Sequence, residues 1–139
     1  MKIYIATSLK NVEMMKYIRD WFIDNDIFIT YDWSVHGFVS DHNLLYDIAV
    51  AEKRGVKDAD IVLVVFPAEK GSHTELGIAL GLDKEIVILN EGEFDEFRPF
   101  YLLDNVKIFN NMALALHYIL KRSDDLDEIE NVRRLNYCF

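Results

Sequence analysis

Cysteine, proline and positive charge are scarce in this chain. Of 139 residues, one is cysteine, two are proline and six are glycine. A single thiol, Cys138, makes no internal disulfide, which excludes a disulfide scaffold and fits a reducing compartment. So few prolines and glycines exclude a collagenous or low-complexity chain. Fifteen Lys and Arg stand against twenty-four Asp and Glu, a formal charge of −9. That balance opposes a duplex nucleic-acid partner, whose binding rests on neutralising phosphates, and leaves small molecules as the expected ligands. No apolar run is long enough to cross a membrane. The opening residues Met1 to Ala6 turn polar at Thr7 and Ser8, too soon for a signal peptide. The expected location is therefore cytoplasmic. Four scattered histidines and one cysteine have no metal-ligand spacing. Neither a G-x-G-x-x-G nor a G-x-x-x-x-G-K-[ST] loop is present.

What the chain does have is apolar content. Half of it, 51%, is hydrophobic and 13% is aromatic, enough to bury a core in one domain. Residues 2 to 6 read as a buried strand. Asn11 is placed to cap a helix reaching about Asn25, with Met15, Ile18 and Phe22 on one face. Ile27 to Tyr31 reads as a second strand. From about Asp41 to Gly55 a helix is expected with Leu44, Leu45, Ile48 and Ala51 inward and Asp47 and Lys53 solvated. Ile61 to Phe66 is the most apolar run and reads as the central strand. A helix follows over Gly71 to Leu82, then strands at Glu85 to Leu89 and Val106 to Phe109. Between those two, Glu91 to Phe97 reads as an acidic loop and Arg98 to Leu103 as a turn or short helix. A last helix runs from Asn110 or Asn111 to about Arg122. Alternating strands and helices imply an α/β fold, a three-layer sandwich with a five-stranded parallel sheet in flavodoxin-like (Rossmann-like) order. Residues 1 to 122 form the domain. Residues 123 to 139 are an acidic C-terminal tail or a segment that docks on another subunit.

The chemistry concentrates around Glu75. The stretch Gly71-Ser72-His73-Thr74-Glu75-Leu76-Gly77 follows the central strand, so Glu75 opens a helix at the carboxyl edge of the sheet, where α/β folds bind ligands. Two readings compete. In the first, Ser72-x-x-Glu75 is a capping box and the carboxylate only returns a hydrogen bond to the backbone of Ser72. In the second, Gly71 lets the backbone approach a ligand, Gly77, Ala79 and Gly81 pack tightly on the sheet, and Glu75 is a carboxylate kept ionised by the helix dipole. An ionised carboxylate in a pocket is a competent nucleophile at an anomeric carbon.

Lys2-Ile3-Tyr4-Ile5-Ala6, Ala59-Asp60-Ile61-Val62-Leu63-Val64 and the run G-x-x-x-E-x-G-x-A-x-G-x-x-K from Gly71 to Lys84 resemble the nucleoside 2-deoxyribosyltransferase family, over roughly residues 2 to 120. The family includes transferases that exchange bases on 2-deoxyribose and hydrolases that split nucleoside monophosphates. The resemblance implies that Glu75 is the nucleophile and that Tyr4, at the end of the first strand, orients it. It places Glu52, eight residues before Asp60, where the family's transferases carry an aspartate that handles the base. It places Glu69 near a sugar-contacting acid or serine. Asp32 and Trp33, after the second strand, are candidates to accept from and stack on a base. His36 reads as a surface histidine, and His73 as a neighbour able to modulate Glu75. Thr7 to Asn11, with Ser8, offers hydroxyls, an ammonium and helix amides to a phosphate but lacks the glycines hydrolases often use there, so a monophosphate is the lesser reading. Substrate contacts are thus expected at Ser8, Asp32, Trp33, Glu69, Gly71 and Ser72. The resemblance implies no cofactor, a nucleoside or nucleotide substrate, and a homo-oligomer, dimer or higher, in which Tyr101 and Leu103 reach across. A rival from another class is a nucleotide-binding or signalling module that keeps the fold and uses Glu75 only as a cap.

Overall fold

The computed structural model describes residues 1–92 and 98–137. Most of the acidic 91–97 loop, together with Cys138, lies outside the described residues. Five strands form one parallel sheet: β1 (Lys2–Thr7), β2 (Phe28–Ile29), β3 (Ile61–Val65), β4 (Glu85–Leu89) and β5 (Val106–Phe109). Their order is β2-β1-β3-β4-β5, the flavodoxin-like arrangement. Among the described residues four α-helices connect and cover them: α1 (Val12–Asp24), α2 (His42–Asp58), α3 (Lys70–Gly81) and α4 (Met112–Tyr137).

Burial explains which strands are long. Every residue of β3 is buried, as are Ile3 to Ala6 of β1 and Ile86 to Leu89 of β4. A strand with helices on both faces has no polar side to alternate with, so it reads as a continuous apolar run. In-register pairs such as Tyr4 with Val62 and Val62 with Ile86 then bring the carboxyl ends of β1, β3 and β4 to one edge. Thr7 Oγ1 ties two of those ends together by donating to the Val65 carbonyl at 2.7 Å.

Several local expectations are corrected. The second strand is two residues, not five: Phe28 and Ile29 pair with Lys2 and Ile3 at the sheet's edge, where a strand is paired on one side only. Asn11 occupies the N-cap position of α1, but its amide turns back to donate to Thr7 Oγ1 at 3.1 Å, and a 3-10 turn, Leu9–Asn11, comes first with Ser8 as its cap. Helix α2 starts where expected, with the Asp41 carboxylate accepting from Leu44 N–H at 2.9 Å, and runs three residues past Gly55. Its Leu44 and Leu45 are exposed rather than inward, and the buried residues are Gly55 and Val56. Helix α4 does not stop near Arg122. Ser123 is buried, Arg122 binds Glu85 of β4, and Asp127 lies 3.7 Å from the N-terminal amine, so the helix has partners beyond the expected stop and continues to Tyr137. No helix among the described residues is long and apolar enough to cross a membrane.

Candidate active site

The capping box at the start of α3 is built one step earlier than Ser72-x-x-Glu75. Glu69 is the N-cap, its side chain accepts from the Ser72 backbone, and the Ser72 hydroxyl accepts from Glu69 N–H at 3.0 Å. Glu75 is therefore free of capping. It sits in the second turn and accepts a hydrogen bond from the Tyr4 hydroxyl at 2.6 Å. Tyr4 is midway along β1 rather than at its end, with a fully buried side chain. Glu75 itself keeps 8% of its surface exposed, and that surface opens into a cavity of about 300 Å³ at the carboxyl end of β1 and β3.

The same cavity gathers most of the candidates. Ser8, Trp33, Glu52, Glu69, Gly71 and Ser72 all line it together with Glu75. Each is held by its own element. Trp33, in a 3-10 turn (Trp33–Val35), donates its indole N–H to the Ile5 carbonyl at 2.8 Å, which fixes the ring as a wall. Glu52 projects from α2, and Ser8 and Glu69 flank the mouth, where Lys10 Nζ lies 3.2 Å from Glu69 Oε1. Leu45 and Ile48 of α2 also line the space, which is why the apolar face expected to enter the core remains partly open.

Asp32 is not brought in. It is absent from the cavity lining, accepts from Arg19 Nη1 at 2.9 Å, and also binds the Ser34 hydroxyl and N–H. Burial works to raise its pKa, but the hydrogen bonds from Ser34 and Arg19 outweigh it and hold the carboxyl below its usual range. A carboxylate so engaged is a poor proton donor to a leaving base. His36, read as a surface residue, is exposed and also lines the cavity, with Nε2 2.7 Å from the Tyr31 hydroxyl. His73 stays outside: its ring stacks on Phe66 and meets the Tyr101 hydroxyl at 3.2 Å. Gly77 and Gly81 do not pack on the sheet, since a Cβ on either would meet nothing, whereas Ala79 is fully buried.

The electrostatics differ from the expectation of a dipole-stabilised anion. Burial pushes the Glu75 carboxyl up to about 8; the Tyr4 hydrogen bond opposes this and the Glu52 charge adds to it. Desolvation of the charged form outweighs the helix dipole, which falls off within the first turn. Burial likewise raises Glu52, while His36 pulls it down. Tyr4 is raised by burial and then by Glu75, so its hydroxyl keeps its proton and remains a donor. Two carboxyl groups facing one cavity, with the charge of Glu52 disfavouring that of Glu75, can divide the roles of nucleophile and proton donor between them. Among the described residues no group of three His, Cys, Asp or Glu is arranged to hold a metal ion.

No protein-family model matches the chain, and no curated protein matches its sequence. Solved structures do match in fold. A CMP N-glycosidase from Clostridium botulinum superposes with a TM-score of 0.55 at 19% identity, covering 89% of this chain and 98% of its own. A 2-deoxyribosyltransferase from Leishmania mexicana superposes with a TM-score of 0.60 at 15% identity, covering 86% of this chain and 97% of its own. At these identities the similarity establishes the shared α/β fold.

Proposed function

We propose that this chain is a nucleoside 2-deoxyribosyltransferase-like enzyme that breaks or exchanges the N-glycosidic bond of a (deoxy)nucleoside. The observation that carries the reading is the 2.6 Å Tyr4–Glu75 hydrogen bond at the wall of a cavity that Glu52 also faces. The fold it shares with an N-glycosidase and a deoxyribosyltransferase supports the reaction class. In its ionised form Glu75 attacks the anomeric carbon and the C–N bond breaks. The two carboxyl groups react with one proton between them: with Glu75 ionised, Glu52 holds that proton and gives it to the departing base, and Trp33 walls the base's side of the cavity. A second base or a water then displaces Glu75 from the sugar, and Glu52 takes the proton back from that nucleophile. Tyr4 stabilises the carboxylate leaving group in this second step.

The mouth of the cavity favours a substrate without a 5′-phosphate. Ser8 and Lys10, two of the first-loop groups able to meet an anion, are already engaged by Glu69, whose carboxyl is held below its ordinary range first by Lys10 and then by Ser8. A phosphate at this mouth would have to displace that carboxylate or face it. Gly71 and Ser72 complete the sugar side. A homo-oligomer belongs to the same proposal and draws support from exposed Phe100, Leu102 and Leu103 beside Tyr101. A monomer by light scattering would contradict that part.

The test is product analysis. Incubating a deoxynucleoside with and without a second free base, and separating products by chromatography, yields a new nucleoside for transfer and only free sugar and base for hydrolysis. Tight nucleoside binding with no cleavage across a substrate panel would overturn the enzyme reading.

A further inference from the structure

Gly55 stands apart from the chain's other glycines. A Cβ placed on it would lie 2.9 and 3.1 Å from Cδ2 and Cε2 of Tyr4 and 3.0 Å from Cβ of Tyr31. No other glycine has a neighbour closer than 3.4 Å at that point. Real Cβ atoms do not approach carbon this closely, so the missing side chain is what allows α2 to rest against the edge of the Tyr4 ring. The ring is fully buried, and its hydroxyl reaches Glu75 on the far side. Gly55 is also one helical turn from Glu52, on the same side of α2, so the contact that seats Tyr4 also sets how near α2 brings Glu52.

We infer that Gly55 is a positioning residue: by leaving room for the Tyr4 ring between α2 and the sheet, it holds the Tyr4 hydroxyl on the Glu75 carboxylate. The inference rests on the reading of Glu75 as the reactive group. A methyl at position 55 swings the ring and lengthens or breaks the hydrogen bond that favours ionised Glu75. The groups bearing on Glu75 are Tyr4 from β1 and Glu52 from α2, with Tyr31 and His36 bearing in turn on Tyr4 and Glu52.

The experiment is a carboxyl-carbon NMR titration of Glu75 in the full chain, for wild type, Gly55→Ala, Tyr4→Phe and the double variant, alongside the pH profile of kcat/KM. Gly55→Ala should move the Glu75 titration upward by about one pH unit, in the direction Tyr4→Phe moves it. It should add almost nothing on top of Tyr4→Phe, because no hydroxyl is left to displace. A Glu75 titration that stays or falls in Gly55→Ala, or shifts that sum in the double variant, would overturn the inference. The titration needs no turnover. The expected shift in a protein that cleaves no nucleoside defeats the glycosidic reading alone, and an active Gly55→Ala protein with an unshifted Glu75 defeats the positioning role alone. If Gly55→Ala does not fold, Tyr4→Leu and Tyr4→Leu/Gly55→Ala decide. With the ring removed, the added methyl meets only Tyr31 Cβ at 3.0 Å, so the double variant should fold; a double variant that still fails to fold would overturn the inference.

Discussion

Two tyrosine–glutamate pairs among the described residues stand in contrasting surroundings. Tyr118 of α4 donates to Glu85 of β4 at 2.8 Å, and Tyr4 of β1 donates to Glu75 of α3 at 2.6 Å. The first pair is completed by Arg122, whose guanidinium reaches both Glu85 oxygens at 3.1 Å, in a half-open setting. Burial and then Glu85 push Tyr118 up to about 12, with Arg122 opposing. The second pair has no cation beside it among the described residues and faces a cavity instead. A carboxylate with an arginine fork is satisfied and does structural service. A buried carboxylate with one neutral donor and a second carboxyl nearby holds its charge at a cost, and a substrate that develops positive charge at its anomeric carbon relieves that cost.

The comparison breaks most sharply on activity. Glu75→Gln is expected to lower kcat by at least about 10³-fold with the fold retained, as removal of a nucleophile does. Glu85→Gln is expected to leave kcat within about twofold and to lower stability by less than about 1 kcal/mol, because that ion pair is partly solvated. Steady-state kinetics and urea unfolding on both variants check this. Equal losses of activity would erase the distinction between the pairs.

The next effect is smaller. Tyr4→Phe removes a hydrogen bond to a charged group, worth about 1.5–3 kcal/mol, so kcat/KM should fall about 10- to 100-fold, and its alkaline-rising limb should move to higher pH. Tyr118→Phe should leave both unchanged. In the wild type that limb should have its midpoint near the Glu75 value of about 8, since attack needs the ionised form of a carboxyl raised from the ordinary 4.5.

Stability against pH sharpens the same contrast. A carboxyl raised in the folded state binds a proton that the unfolded chain has already released, so its contribution is present below about pH 4.5 and is lost as pH rises through about 8. Wild type should therefore lose more stability than Glu75→Gln between pH 5 and pH 9, by a difference on the order of a few kcal/mol read from denaturant midpoints. Parallel curves would mean that Glu75 ionises in the folded protein as it does in the unfolded chain.

Much of the fold was legible because β1, β3 and β4 are covered on both faces and spell themselves as unbroken apolar runs. The edge strand was not. Ile27 to Tyr31 has strand chemistry throughout, yet only two residues find a partner. Helix α2 misled for another reason: Leu45 and Ile48 have core periodicity but face a cavity, which periodicity alone does not distinguish from a core. At the site, Glu75 was legible from its place after the central strand, but its partner in capping was misread because Ser72 fits a box in either direction. The pairing of Asp32 with Arg19, the entry of His36 into the cavity wall and the fit of Gly55 against Tyr4 are contacts between elements far apart in the chain. An aromatic and a histidine five residues apart, Tyr31 and His36, offered the one local signal for the second of these.

The most direct test of the central claim is mass spectrometry of the protein quenched during turnover of a deoxynucleoside and digested. The account predicts a peptide spanning Glu75 that carries one deoxyribosyl group, absent in Glu75→Gln. Release of free base with Glu75 unmodified, in a protein whose Glu75→Gln variant is equally active, would contradict it.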